Sequence, residues 1–255
     1  MLSHSQRGKI GSEMLWKRYK SDKTFRDELL RKWRESRIRN YERRAKFSPR
    51  LTNHEMEVLK SRICGYLAAD GSVIIRKENG TNRLHYDIQF YPDHYVLVRL
   101  FRKAFKEVYG KEVSIRQKRN FFYVRASDKF AAMDLVSLAK FSSRYWTIPK
   151  VLNSKASKKA WLKAYFDCDG YVCKRYVQIQ SVNKDGLLKI RNLLNEFGIR
   201  SKIYSYQRRQ ASWNTNHLLN IQGRNMMLNF MHEIGFDHPL KYAKLKEFIG
   251  TLIGI

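Results

Sequence analysis

The sequence predicts an α+β protein built from two pseudo-symmetric αββαββα copies behind a basic helical extension. Three observations predict it. The chain has 255 residues, 43% of them hydrophobic, enough for a real core. From Leu51 onward the same succession of helix and strand signals occurs twice. In each copy the first helix is broken by Asp-Gly, at Asp70-Gly71 and at Asp169-Gly170. A repeat this long constrains the architecture more than any single element does. The boundaries expected are 1–50 for the extension, 51–141 for the first copy, 142–155 for a linker, 156–237 for the second copy and 238–255 for a last helix.

Residues 1–50 carry sixteen Lys and Arg against six Asp and Glu. Ser12 to Ala45 lacks Gly and Pro and is rich in helix formers. Leu15, Tyr19, Leu29, Leu30 and Trp33 recur at loosely helical spacing. One or two basic helices ending before Ser48-Pro49 are expected. They would form a solvated arm or an ordered appendage for a polyanion.

In the first copy, Thr52 or Asn53 caps a helix running to about Ala69. Strands Ser72–Lys77 and Leu84–Phe90 follow, joined through the turn residues Glu78-Asn79-Gly80. Asp93 opens an amphipathic helix carrying Val96, Leu97, Leu100, Phe101, Phe105 and Val108, and Gly110 stops it. Strands Glu112–Lys118 and Phe121–Ala126 lead to a helix from about Asp128 to Ala139. The second copy repeats the order. It has a helix from Lys155 to Cys168, a hairpin Tyr171–Lys174 with Tyr176–Ser181, and a helix Lys184–Phe197 ending at Gly198. Strands Arg200–Tyr206 and Asn214–Ile221 and a helix Arg224–Ile234 complete it.

The net charge is +28. Such an excess points to a polyanion, because neutralising phosphates releases condensed counterions. A membrane is not the expected partner: no apolar run approaches the roughly 18 residues of a span, and Met1 to Lys20 lacks the apolar segment of a signal peptide. Cys64, Cys168 and Cys173 are odd in number and show no C-x-x-C spacing. They suggest neither a disulfide framework nor a zinc site. An intracellular, non-secreted protein is expected.

The two Asp-Gly helix ends carry the chemistry. The first reads Ile63-Cys64-Gly65-Tyr66-Leu67-Ala68-Ala69-Asp70-Gly71, the second Leu162-Lys163-Ala164-Tyr165-Phe166-Asp167-Cys168-Asp169-Gly170. Each has small residues four apart, Gly65 with Ala69 and Ala164 with Cys168, which share a helix face. Two such faces can pack backbone to backbone. If the helices lie parallel, Asp70 and Asp169 meet at one end. Adjacent carboxylates repel unless a cation lies between them. Mg²⁺ is the natural one, a hard ion that also favours phosphate oxygens. Either Asp alone reads as an ordinary turn; both at matching places in a basic repeat read as a site for phosphodiester cleavage.

Both segments resemble the LAGLIDADG motif, and the double copy resembles the monomeric branch of that homing endonuclease family. The resemblance covers residues 52–235. It implies two antiparallel sheets forming a saddle for duplex DNA, with the motif helices at the interface of the copies. It assigns catalysis to Asp70 and Asp169, and the metal-holding positions to these two with Ala69 and Cys168. Mg²⁺ is the expected cofactor, with Mn²⁺ as a substitute and Ca²⁺ supporting binding without efficient cleavage. Motif 1 departs from the pattern at Ala68, where an Asp is common; motif 2 keeps Asp167. Trp146-Thr147-Ile148-Pro149 before the second motif also resembles family members. Accessory polar residues of the kind the family uses have candidates in Gln89, Gln180, Arg125 and Arg224, by strand-end position only.

The strands suit such a saddle. Leu84, Tyr86, Ile88 and Phe90 alternate with Arg83, His85, Asp87 and Gln89. Val113 and Ile115 alternate with Ser114, Arg116 and Lys118. Val177 and Ile179 alternate with Tyr176, Gln178 and Gln180, and Arg200, Lys202, Tyr204 and Tyr206 share one face. Period-two patterning sends the apolar set to the helices and the polar set outward. Arg76, Arg83, His85, Gln89, Arg116, Lys118, Arg125, Gln178, Gln180, Arg200, Lys202 and Tyr204 are therefore the expected DNA contacts.

The resulting expectation is a monomeric, site-specific, metal-dependent endonuclease cutting both strands at a long asymmetric target. The alternatives are a maturase that assists splicing of intron RNA and a DNA-binding regulator on the same fold. An intein is disfavoured by the Met1-Leu2 start and Gly254-Ile255 end, which lack the residues of splicing chemistry.

Overall fold

The computed structural model describes residues 4–45, 51–80, 83–207 and 214–251. The expected break at Ser48-Pro49 and the chain end beyond Thr251 lie outside the described residues. Contacts divide the chain into two compact units, Met1–Ser48 and Pro49–Ile255.

The first unit has two helices, α1 (His4–Ser21) and α2 (Lys23–Ala45). Asp22 joins them: its carboxylate accepts the Phe25 backbone N–H at 2.9 Å, capping α2. Tyr19 stacks on Trp33 with 6.3 Å between ring centroids. Leu15, Trp16 and Trp33 remain exposed.

The second unit contains both copies. The first runs α3 (Asn53–Asp70), β1 (Gly71–Lys77), β2 (Leu84–Phe90), α4 (Tyr95–Tyr109), β3 (Ser114–Gln117), β4 (Phe122–Ala126) and α5 (Lys129–Leu138). The second runs α6 (Lys155–Asp169), β5 (Tyr171–Val172), β6 (Tyr176–Ser181), α7 (Lys184–Glu196), β7 (Lys202–Tyr206), β8 (Asn216–Gln222) and α8 (Arg224–Glu233). A last helix, α9 (Pro239–Thr251), follows. Each copy folds one antiparallel four-stranded sheet, in the orders β1-β2-β4-β3 and β5-β6-β8-β7. The matching orders are the structural form of the sequence repeat.

Local chemistry accounts for the element ends. Thr52 and Glu55 form a capping box on α3: the Glu55 N–H donates to Thr52 Oγ1 at 3.2 Å, and the Thr52 N–H donates to the Glu55 carboxylate at 2.8 Å. On α4 the capping residue is His94, whose Nδ1 accepts the Val96 N–H at 3.1 Å, so the helix does not start on Asp93. The apolar face of α4 buries Leu97, Phe101 and Phe105, with Phe101 4.9 Å from Phe90 of the sheet and 6.2 Å from Tyr66 of α3. Each such side chain contributes about 1.5–3 kcal/mol of burial.

Three strands are shorter by two residues or more than the patterning predicts. The β5 strand stops at Val172 rather than Lys174, because the Cys173 N–H donates to the Tyr176 carbonyl at 3.1 Å and turns the chain. Lys118 lies beyond β3 in a turn, its N–H donating to the Phe121 carbonyl at 2.8 Å. Arg200 precedes β7, its N–H directed at the Met226 sulfur at 3.2 Å. The stretch between the copies is part of the core. Trp146 is buried between Tyr165 and Gly186, where a β-carbon would overlap the indole.

Candidate active site

α3 and α6 lie side by side and parallel, as three levels of contact show. At their starts, Glu57 of α3 accepts the Ser154 N–H at 2.8 Å and the Ser154 hydroxyl at 2.9 Å. Midway, a β-carbon on Gly65 would come within 2.5 Å of the Trp161 carbonyl and 2.8 Å of Ala164 Cβ. At their ends, the Cys168 thiol lies beside the Asp70 carboxylate. The residue numbers climb together on both helices, so both C-termini emerge at the same end. Gly65 and Ala164 meet at this seam, where a larger side chain on Gly65 would not fit.

Two parallel helices ending together add their negative dipole ends. Neither α3 nor α6 has a basic residue in its last turn, and each ends on Asp. The two helices themselves therefore bring no positive charge to this end. Burial pushes the Asp169 carboxyl up to about 7, and the neighbouring Asp70 charge adds to the shift. Asp70 is also raised, chiefly by burial, while Lys241 and the Cys168 thiol pull the other way. Burial and the two carboxylates drive the Cys168 thiol well above its usual range. The Tyr165 hydroxyl, fully buried beside Asp169, makes no well-formed hydrogen bond.

Asp169 borders a cavity of about 210 Å³, together with Ala68, Ala69, Gln180, Ser181 and Asn216. Among the described residues no group of three or more His, Cys, Asp or Glu side chains could hold a metal. The donor set is two carboxylates and the helix-end carbonyls, since Ala69 has only its backbone oxygen to give. Hard oxygens around a concentration of negative charge fit Mg²⁺, Mn²⁺ or Ca²⁺, with the remaining ligands left to water and phosphate.

Lys241, in the first turn of α9, is the site residue that the sequence reading missed. Its ammonium donates to the carbonyls of Asp167 and Cys168, each at 2.6 Å. Asp167 holds the entry to α9, accepting the Asp237 N–H at 2.8 Å and the His238 N–H at 2.9 Å through one carboxylate oxygen. Its other oxygen is buried without a partner. Burial raises this carboxyl to about 7. His238 in turn sits 3.4 Å from Asp93.

The outer sheet faces carry the expected polar rows. Ser72, Gln89, Arg125 and Ser114 pair across the first sheet, and Tyr171, Gln178, Asn220 and Lys202 across the second. Arg76, Arg83, Arg116, Lys118, Arg200, Lys202 and Tyr204 are exposed; His85 is half-buried, 3.4 Å from Glu78. Gln180 shares the Asp169 cavity, whereas Arg224 occupies an exposed place at the start of α8. Gln89 accepts the Tyr91 hydroxyl at 2.6 Å.

Two expectations need correction. Asp87 is 3% exposed rather than outward in solvent. Arg125 is not a free accessory cation: its Nε and Nη2 donate to Asp87 at 3.0 and 2.6 Å, alongside the Ser127 hydroxyl at 2.9 Å. A carboxylate in mid-sheet needs those donors. Burial opposes its ionisation, but the Arg125 and Ser127 hydrogen bonds and the Arg76 charge hold Asp87 below the ordinary carboxylate range.

Residues 156–235 match the family model of the LAGLIDADG-like domain. Over 154 residues, 59% of its length, the chain is 28% identical to the Replication factor C small subunit of Methanocaldococcus jannaschii, and the match spans 8% of that protein. Among solved structures, I-DmoI in complex with DNA and Ca gives a TM-score of 0.59 at 20% identity, covering 75% of this chain and 98% of that one. The complex of I-DmoI with DNA and Mn gives 0.57 at 19%, covering 71% and 97%. Full-length WhiA from Thermatoga maritima gives 0.51 at 16%, covering 80% of this chain and 63% of that one. Residues 156–235 thus carry a LAGLIDADG-like domain, and the two copies together have the fold of the I-DmoI structures.

Proposed function

We propose that the chain is a site-specific endonuclease that hydrolyses both strands of duplex DNA with a divalent cation at Asp70 and Asp169. The observation that carries this reading is the convergence of two largely buried carboxylates at one end of parallel helices, both raised by burial, with the Asp70 charge adding to the shift of Asp169. A cation would be held by the Asp70 and Asp169 carboxylates and the Ala69 carbonyl, the Cys168 carbonyl being occupied by the Lys241 ammonium; bound there, it would supply charge that favours hydroxide over water and stabilises the leaving oxygen. The chain's own groups do the rest. The exposed Arg and Lys of both sheets neutralise phosphates and position the duplex, while the polar rows face base edges. Gln180, which borders the same cavity as Asp169, would orient water. The copies differ in sequence, so the target is asymmetric.

The DNA-bound structures of I-DmoI support this reading. WhiA shows that the fold is not confined to them, which keeps a DNA-binding regulator as the second reading. Sequencing the DNA around the gene would supply a candidate target. On plasmid carrying that target, the wild type should cut with Mg²⁺ and bind with little cutting in Ca²⁺. Asp70→Asn and Asp169→Asn should each lower double-strand cleavage by about 10²-fold or more while leaving binding nearly intact. Full cleavage by the double variant would remove the active-site assignment. Binding without cleavage by the wild type would favour the regulator, or a maturase acting on intron RNA.

A further inference from the structure

We propose that Lys241 is a built-in cation for the Asp70 half of the site, so that the chain keeps one exchangeable divalent position, in the Asp169 half. This rests on the metal-dependent reading above and divides its site unequally. In the Asp169 half, the carboxylate and Ala69, whose only polar donor is its carbonyl, border the 210 Å³ cavity. In the Asp70 half the corresponding carbonyl is that of Cys168, and it takes the Lys241 ammonium at 2.6 Å. A divalent ion using that oxygen would have to displace Lys241, and the two cations repel.

Lys241 is held in place. The start of α9 is fixed by the two N–H groups donated to Asp167 and by His238 against Asp93. Asp237 beside it is anchored by Lys163 at 3.1 Å and Arg62 at 3.7 Å. The carboxylates facing the ammonium are Asp70, Asp93 and Asp169. The position is also informative on helix grounds. A cation in the first turn of α9 opposes that helix's own dipole, but it complements the C-terminus of α6. The first copy lacks the counterpart of this carboxylate, because Ala68 stands where Asp167 stands and has no side-chain oxygen to accept N–H groups. Ala68 instead lines the cavity.

The test counts Mn²⁺ bound to the full-length chain from the loss of its free EPR signal. One ion per wild-type chain is expected. Asp169→Asn should weaken it about tenfold or more, and Asp70→Asn by no more than about threefold. Lys241→Gln should admit a second ion and Lys241→Arg should not. Circular dichroism checks folding; if Lys241→Gln is unfolded, the two Asp variants decide. Two ions on the wild type would overturn the proposal, as would equal loss in both Asp variants, which means a shared ion. A folded Lys241→Gln chain that still binds one ion would overturn it too. In those cases the metal-dependent reading survives. No bound ion on any variant would defeat that reading and this proposal together.

Discussion

Asp169 keeps its proton to about pH 7 in the folded chain, against a usual value of 3.8, because it is buried and lies beside Asp70. The sign of the consequence follows from linkage. Between about pH 4 and pH 7 the unfolded chain has released this proton and the folded chain has not. The stability it contributes is therefore present in acid and lost as pH rises through that window. Asp169→Asn is neutral throughout, so without metal its melting temperature should gain on the wild type between pH 5 and pH 7.5. A pH-independent difference would mean that the carboxyl is not raised. Asp167 has the same direction of shift from burial, so the variant should remove only part of the wild-type decline. Asp87 behaves in the opposite sense, its folded value lying below the usual one. Its contribution is present at neutral pH and lost in acid. Asp87→Ala should cost about 1–3 kcal/mol in urea unfolding, toward the lower end because Arg125 is 41% exposed and can return to water.

At the scale of elements, the seam between α3 and α6 tolerates no added volume. Any β-carbon at Gly65 must push away the Trp161 backbone carbonyl, which lies 2.5 Å from its place. Gly65→Ala should therefore destabilise despite the better helix propensity of Ala. Gly65→Leu should cost about 3 kcal/mol or more, or prevent folding, as read by thermal and urea unfolding. An unchanged midpoint for Gly65→Ala would show that the helices can separate freely. This seam was legible in the sequence because the signal is local and repeated: small residues four apart, then Asp-Gly, twice. The paired sheets were legible for the same reason, through alternation and turn residues. Lys241, Asp167 and the His238–Asp93 pair were not. Each works through contacts between segments some 70 or more residues apart, and α9 lies outside the repeat, so no periodicity marks it. The Arg125–Asp87 pair was hidden for a related reason: the two lie 38 residues apart, and alternation alone sets Asp87 on the solvent face.

For the whole molecule, the charge excess is distributed over both compact units. Met1–Ser48 holds fifteen Lys and Arg against six Asp and Glu, and Pro49–Ile255 holds 36 against 17, a net +19. Charge alone therefore gives the second unit enough positive potential to hold duplex DNA without the first. It carries its own core, and its exposed basic residues stand on the strands or just beside them. Binding should weaken linearly in log–log form as salt rises, with a slope of about −0.9 per phosphate neutralised. If the first unit contacts phosphates, a chain beginning at Pro49 should keep its melting transition and its sequence preference, but bind more weakly with a shallower slope. An unchanged slope would assign α1 and α2 to some other partner, for which the exposed Leu15, Trp16 and Trp33 offer an apolar surface. Substituting Arg116, Lys118, Arg200 or Lys202 by Ala should separate two kinds of contact. A phosphate contact lowers affinity evenly for all sequences and reduces the slope by about one; a base contact costs about 1–3 kcal/mol and relaxes preference at one position of the target. Fluorescence anisotropy over a salt series, on the cognate duplex and on single-base variants, reads both effects. If none of the four substitutions moves either quantity, the sheet faces are not the DNA-binding surface.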